Sequence, residues 1–507
     1  MKNLAFGSDQ LLAGVEDGQM TSMYGGIGDY YNEAKSALFG RVNYDFAGRY
    51  IAEFQFRYDG SSRFAKGHQW GFFPSASIGW RISEEPFFKS IDALSFVNQL
   101  KLRGSYGVLG DDLSDSWDFG WVPGYVYPAT SGNAENGYNN QYAPGYMFGD
   151  KYITGVSRKA IANELITWYK AKTFNVGLDF EGWNGLFGFT LDYFERTRSG
   201  LFQRRTSEFP TVIGAIAPME NANSDRHMGM ELELKHRNKI NDFSYNIRAI
   251  ATVTRNKYLT AVQNGPYKNS YDRWRNDNFN DRYQGIQFGY ESAGRFENWA
   301  DIWSYPIYKE RDVLPGDYKY LDWNGDGEIN DQDEHPFAFD QTPWVNYSLN
   351  IETAYKNFDI NLLFQGSALG SMEYKEPLYA IWGTNGGGTL EQYLDRWHPV
   401  NPLADPYDPA TEWVQGYYGF TGRYPKSNSE FNRVSTAYLR LKSIELGYTF
   451  SNLKPSSSSM RLRVYANAYN LFTITGVRYV DPEHPDDNLG RMYPLNKTYS
   501  LGLSLTF

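Results

Sequence analysis

Apolar and polar residues alternate one by one through the end of this chain. Tyr499, Leu501, Leu503, Leu505 and Phe507 have one parity, and Ser500, Gly502, Ser504 and Thr506 have the other. A strand turns successive side chains to opposite faces, so this stretch predicts a strand with one apolar face and one small polar face. The pattern recurs upstream. Phe243, Tyr245, Ile247, Ala249, Ala251 and Val253 oppose Ser244, Asn246, Arg248, Thr252 and Thr254, with Ile250 the exception on the polar side. Met460, Leu462, Val464, Ala466 and Ala468 oppose Arg461, Arg463, Tyr465, Asn467 and Tyr469. Within 438–450 the phase slips between Leu441 and Ile444, which predicts a bulge near Lys442 and Ser443.

Such segments number about thirteen, most near the length of roughly 9–11 residues that crosses a bilayer as a strand. They are expected at 37–46, 50–58, 72–82, 99–109, 170–181, 187–197, 227–236, 243–254, 344–354, 358–367, 438–450, 459–470 and 495–507. Turns such as 47–49, 237–242 and 355–357 are short, whereas 110–167, 256–343 and 368–437 are long and rich in Gly, Asn, Asp, Tyr and Pro. Short turns on one side and long loops on the other is the asymmetry of outer-membrane β-barrels, whose long loops face outward. The expected fold is therefore all-β: a portion of a transmembrane antiparallel β-barrel, with 1–36 as an outer-loop remnant and 37–507 as barrel. If 1–36 is an outer loop, odd strands run inward and the thirteenth ends at the periplasm. An open sheet leaves unpaired edges in lipid, so this parity predicts the C-terminal part of a larger barrel. The segment 499–507 is then the closing strand, with Tyr499, Leu501, Leu503, Leu505 and Phe507 as the signal read by the barrel assembly machinery.

Composition agrees. Aromatic residues make up 17% of 507 residues, 41 of them Tyr, yet mean hydropathy is -0.58. Rings with a polar handle suit a membrane–water interface, and Tyr448, Phe450, Tyr465 and Tyr499 are expected in such a girdle. A net charge of -10 argues against a nucleic-acid binder. There is no Cys for a disulfide or thiolate metal site. No apolar run approaches the roughly 18 residues of a membrane helix. The start, from Met1 to Asp9, lacks the apolar core of a signal peptide, as a mature, a cytosolic or a fragmentary chain would.

Several ordered motifs carry a family likeness. They include Tyr58-Asp59-Gly60-Ser61-Ser62-Arg63-Phe64, Trp70-Gly71-Phe72-Phe73-Pro74-Ser75, Gly79-Trp80-Arg81-Ile82-Ser83-Glu84-Glu85 and Leu100-Lys101-Leu102-Arg103-Gly104-Ser105-Tyr106-Gly107. Further on come Thr173 to Phe180, Leu191-Asp192-Tyr193, Pro315-Gly316-Asp317, Asp322 to Gly327, Tyr355 to Asp359, Tyr438 to Lys442, Asn470 to Thr473 and Asp481-Pro482-Glu483. In this order they resemble the SusC/RagA family of TonB-dependent outer-membrane transporters. Where that family usually has Trp-Glu-Lys, this chain has Trp168-Tyr169-Lys170. The resemblance implies a barrel of roughly 22 strands around a plug domain, with the plug and about nine strands having no counterpart here. It also implies import of oligosaccharides or peptides, a SusD-like surface lipoprotein as partner, the TonB complex acting through the plug, outer-membrane lipid around the wall, and a place in the outer membrane.

The sharpest local motif is Asp322-x-Asn324-x-Asp326-Gly327-Glu328-x-Asn330-x-x-Asp333. It has calcium-loop spacing: side chains at positions 1, 3, 5, 9 and 12, and the Glu328 carbonyl at 7. Ca²⁺ there would stiffen an outer loop. An Asn/Asp/Gly turn without metal is the other reading. The aromatics Trp117, Trp121, Tyr125, Tyr127, Tyr138, Tyr142 and Tyr146 are interleaved with Asn139, Asn140 and Gln141. They suit stacking on sugar faces or contact with a partner, and equally self-packing of the loop. Arg103, Arg248, Arg461 and Arg463 are expected on the lumen side. The six His are dispersed, and there is no HExxH, Walker A loop or GxSxG; no catalytic residue and no organic cofactor is expected. The competing readings are a secreted soluble all-β carbohydrate-binding protein or hydrolase with a calcium loop, and a passive porin. The position of the apolar faces separates barrel from sandwich.

Overall fold

The computed structural model describes residues 2–4, 14–15, 34–112, 120–126, 145–154, 157–158, 160–205, 211–213, 215–262, 269–276, 279–308, 312–375, 378, 390–420, 428–451, 460–484, 490, 492–493 and 495–506. Thirteen strands form one antiparallel meander in chain order. They are β1 (Lys35–Phe46), β2 (Tyr50–Ser61), β3 (Trp70–Arg81), β4 (Val97–Asp111), β5 (Tyr169–Gly182), β6 (Phe187–Arg204), β7 (Met219–Ile240), β8 (Phe243–Thr260), β9 (Val345–Tyr355), β10 (Phe358–Ala368), β11 (Tyr438–Ser451), β12 (Arg461–Thr475) and β13 (Thr498–Thr506). Every expected strand is present. The slip in β11 is a bulge: the ladder to β12 skips Lys442 between Leu441 and Ser443. Most of the expected 1–36 loop lies outside the described residues, and β1 begins at Lys35.

The largest departure from the alternation is length. The expected strand 227–236 is the middle of β7, which has 22 residues; β6 and β8 have 18 each. Residues 219–226 do not alternate, but they pair with 197–204 of β6. Beyond the bilayer, water faces both sides of a hairpin, so ladder hydrogen bonds persist where the apolar signal has ended.

Register shows what the alternation builds. Directly paired residues share a face. One row runs Tyr44, Ala52, Ile78, Gly104, Val176, Tyr193, Met230, Val253 and Val345 across nine strands. Another runs Leu503, Val464, Tyr448, Phe358, Tyr355 and Phe243. Among the described residues no second layer covers this face: Ile78 is 69% exposed, Leu501 86% and Leu503 73%. Leaving a large apolar side chain in water costs about 1.5–3 kcal/mol, and repeated over thirteen strands that exceeds the stability of a domain. The face therefore belongs in hydrocarbon. A sandwich would bury it against a second sheet, and the other sheets described have two strands each. Aromatics mark both edges of the band. Phe46, Tyr50, Tyr355, Phe358 and Tyr448 lie toward the short turns, and Tyr58 stacks on Trp70 toward the long loops, with ring centroids 4.9 Å apart. Tyr50 and Tyr58 are separated by about 26 Å of strand at about 3.3 Å per residue, close to the roughly 25 Å of an outer-membrane apolar band.

Tyr465 is a correction to the expected girdle. It pairs with Gly447 and Gly502 on the polar face, because it has the parity of Arg463 and not of Val464. An aromatic side chain near a strand end suggested the girdle against that parity.

Candidate functional site

The polar face carries a row of its own: Arg103, Gly177, Asp192, Glu231, Thr252, Asn346 and Ser367. On it, Arg103 of β4 crosses β5 to reach Asp192 of β6 at 2.5 Å, and it also pairs with Asp179 at 3.2 Å. The crossing passes over Gly177, where an added Cβ would lie 2.5 Å from the Arg103 Cζ. The device repeats on the far side of the sheet. Arg463 of β12 crosses Gly447 of β11 to Asp359 of β10, and pairs with Glu445 at 2.6 Å. Arg248 pairs with Glu233. Arg461, at the inner end of β12, pairs in register with Thr506 and Ser451. Gly177→Ala is expected to displace Arg103 and cost about 1–3 kcal/mol, read as a lower denaturant midpoint of the heat-modifiable band.

The loops 261–344 and 369–437 interlock above β8–β11. Tyr290 and Ser429 form a parallel bridge. The Tyr290 amide donates to the Asn428 carbonyl at 2.9 Å, and the Glu430 amide donates to the Tyr290 carbonyl at 3.0 Å. Glu373 accepts from the Asn428 amide at 2.9 Å and from Asn432 Nδ2 at 3.0 Å. Tyr290, Tyr320 and Ile329 form the core of this body, with Tyr305, Tyr308, Tyr318 and Phe431 packed around it. The Arg295 guanidinium lies 4.0 Å from the Tyr318 ring centre and 4.3 Å from that of Phe431, and it donates to the Tyr417 carbonyl. Burial pulls its pKa down and pushes the Tyr290 hydroxyl up. Burial likewise pushes Tyr418 up to about 12.

Lys319 holds Asp301 at 2.6 Å, and that hydrogen bond is the main cause of the low pKa of the Asp301 carboxyl. A carboxyl with a depressed folded pKa adds stability above its unfolded value, lost as pH falls through the folded one. Amides of 299–304 are therefore expected to lose hydrogen-exchange protection only below about pH 4, and Asp301→Asn to remove that dependence. Equal loss of protection at pH 6 would sink this assignment.

The predicted calcium loop sits in this body. Asp322 accepts from the amides of Gly325 at 2.8 Å, Asp326 at 3.2 Å and Gly327 at 2.8 Å. Asn324 accepts from the Asp326 amide at 2.9 Å, and Asp326 from that of Glu328 at 2.8 Å. Gly327 has φ +86°, which a side chain would strain. Asn330 caps the 3₁₀ turn Asp331–Asp333. Asp333 is fully buried, accepts from the Trp323 and Asn330 amides at 3.0 and 2.7 Å, and has its pKa raised by burial. Among the described residues no three His, Cys, Asp or Glu side chains gather into a metal-binding group. A cation here would draw on Asn324, Asn330 and the Glu328 carbonyl as much as on carboxylates.

Of the aromatic loop set, Trp117, Tyr127, Tyr138 and Tyr142 lie outside the described residues, as does Phe507. Trp121 is half-buried in a turn. Tyr125 is in a short strand paired with Ser157–Arg158. Tyr146 is exposed on the hairpin formed by Gly145–Phe148 and Lys151–Thr154. The structure thus does not gather these residues into one pocket among those described. Tyr499, Leu501, Leu503 and Leu505 share the apolar face of β13, which pairs with β12. The rim cluster of Phe64, Phe73, Ile166 and Trp168 was not legible in the alternation. Its signal was the family motif around Arg63 and Phe64, read for likeness and not for packing. The Trp168 indole donates to the Gln69 carbonyl at 2.9 Å, so the Trp of the altered Trp-Tyr-Lys motif has a packing role.

Comparison with known proteins agrees with this geometry. Residues 6–362 match the family model described as TonB dependent receptor-like, beta-barrel. The chain is 31% identical to the TonB-dependent receptor SusC of Bacteroides thetaiotaomicron, over 93% of this chain and 43% of that protein. It is 27% identical to the TonB-dependent receptor P3 of Formosa agariphila, over 94% of this chain and 46% of that protein. The RagAB peptide transporter superposes with a TM-score of 0.67 at 19% identity, covering 94% of this chain and 48% of that one. The chain spans a little under half the length of these relatives, which are receptors and transporters, not enzymes. It belongs to the TonB-dependent receptor β-barrel family, with SusC among its relatives and the fold of the RagAB transporter, and its place is the outer membrane.

Proposed function

We propose that this chain is the C-terminal barrel segment of a SusC-like importer. It would take up an oligosaccharide or peptide together with a SusD-like lipoprotein seated on its outer loops, and would be driven by TonB through a plug domain outside this chain. The observation that carries the reading is the pairing of an uncovered apolar face with a polar face cross-braced by ion pairs. Such a wall is stiff, faces lipid on one side and leaves the other for a plug and a hydrated ligand. The interlocked loops provide an ordered platform at the outer end for a lipoprotein. Conformational gating, not bond chemistry, is the expected mode of action.

The test is uptake of labelled oligosaccharide and peptide pools by cells carrying or lacking the complete gene, with and without TonB. Uptake is expected to need both. Uptake that persists without TonB would favour the passive porin, and a chain that stays monomeric and soluble without detergent would favour the secreted protein. Within this reading, Ca²⁺ is the stiffener of the 322–333 loop, held by Asp322, Asn324, Asp326, Glu328, Asn330 and Asp333. Chelation is expected to speed proteolysis within that loop several-fold, with calcium but not magnesium restoring resistance. An unchanged rate would leave an Asn/Asp/Gly turn without metal.

A further inference from the structure

The lipid-facing side of the sheet changes character at the outer ends of β5–β8. The row Val176, Tyr193, Met230 and Val253 is apolar. One row higher on the same face come Phe174, Glu195, Met228 and Arg255, and one higher again Lys172, Thr197, Arg226 and Lys257. Those two rows hold four cations and one carboxylate, and Lys170, opposite Ser199, adds a cation above them. Rows are about 7 Å apart along the strands, so the charges stand directly over the apolar band. On β9–β12 the same face stays apolar to the strand ends, through Val345, Phe364, Leu439, Leu441, Phe472 and Ile474.

Three of the cations are also held in place. The Arg255 guanidinium is sandwiched 3.4 Å from the Tyr283 ring centre and 3.8 Å from that of Trp344, and its buried Nε has no hydrogen-bond partner among the described residues. Arg226 is 3.1 Å from Glu195, and Lys257 3.3 Å from the exposed Asp281. Lys170 and Lys172 are exposed. Stacked Arg with flanking Lys is the arrangement that recognises phosphate oxygens. A lipid phosphate is the anion that occurs at this level beside a wall of apolar side chains.

We propose that the outer face of β5–β8 is a headgroup site for a phosphorylated lipid of the outer leaflet, with Lys172, Arg226, Arg255 and Lys257 on its phosphate and the row Val176, Tyr193, Met230 and Val253 against its acyl chains. The site lies on the opposite face of the sheet from the import path, and it rests on the membrane placement of the barrel. The test uses the complete receptor, purified in mild detergent and incubated with lipid A or with the same lipid A stripped of phosphate, with bound lipid counted by native mass spectrometry. Wild type is expected to retain lipid A at least tenfold better than the dephosphorylated form. Lys172→Ala combined with Arg255→Ala and Lys257→Ala is expected to lose that preference. Lys172→Arg with Lys257→Arg is expected to keep it, and heat-modifiable migration reports that each variant is folded. Equal retention of both lipids by wild type, or an unchanged preference in the triple Ala variant, would overturn the site. Full displacement of lipid A by an equal concentration of inorganic phosphate would overturn the lipid assignment. Recovery of the receptor outside the outer-membrane fraction would overturn the membrane placement itself, a separate failure.

Discussion

Leu234→Arg should largely abolish insertion of the receptor, while Glu231→Gln on the opposite face of β7 should leave it within about 0.5 kcal/mol of wild type. Leu234 lies midway between Ile240 at the inner end of β7 and Met228 at the outer edge of its apolar row, on the face it shares with Phe189 and Ala249. An Arg at mid-depth on the lipid face costs about 2–4 kcal/mol, because the guanidinium cannot reach water or headgroups from there. Snorkelling would recover part of that cost only nearer the band edges. The measurement is the fraction of heat-modifiable barrel in outer-membrane preparations, with detergent unfolding of whatever inserts. Normal insertion of Leu234→Arg, with failure of Glu231→Gln, would mean that the two faces are assigned the wrong way round.

Tyr290→Ala should release the outer loops from each other while leaving the barrel intact. Tyr290 is fully buried, sits in the core of the loop body, and its backbone bridges the 261–344 loop to Ser429 of the 369–437 loop. Truncating a buried aromatic to Ala typically costs about 3–5 kcal/mol. Small loop bodies have little stability to spare, so loss of order there is expected to be complete. Tyr290→Phe keeps the ring against Tyr320, centroids 5.4 Å apart, and gives up the hydroxyl contact to Asp331 at 3.3 Å. It should cost about 1 kcal/mol. Limited proteolysis and hydrogen exchange separate the outcomes: the Ala variant should be cut within 261–344 and 369–437, with β8–β11 still protected. Equal loss of protection in the strands would show that loop body and wall unfold as one unit.

The barrel was legible for a simple reason. Its folding instruction is local: each strand must present apolar side chains to lipid at every second position, so parity alone locates Phe243 to Val253 or Tyr499 to Leu505 and even the slip at Lys442. Parity fails where that constraint ends. Residues 219–226 are in a strand because β6 is there to pair with them, and no face has to be apolar outside the bilayer. Tyr465 misled because its residue type suggested the girdle while its position in the alternation placed it on the lumen face.

The functional side chains were less legible because their chemistry comes from meetings between strands and loops far apart in sequence. Arg103 could be placed on a polar face from its own neighbours, but not that Gly177 leaves a channel through which it reaches Asp192, 89 residues away. The calcium-loop spacing of 322–333 was visible as a string, whereas the burial of Asp333 and the amides that occupy the oxygens of Asp322 depend on how the loop closes. Nothing periodic marks Tyr290, Arg295 or Phe431, which matter through packing between two loops separated by the β9–β10 hairpin. Lys172, Arg226, Arg255 and Lys257 likewise look like scattered basic residues until register lines them up on one face. From sequence, then, come the membrane-crossing strands, their two faces, the long-loop side and the family likeness, all consequences of local alternation and ordered motifs. From the fold come the braces across glycine, the interlocked loop body and the row of cations over the apolar band. Strand register and loop contacts are cooperative properties of the whole sheet, and no single segment encodes them.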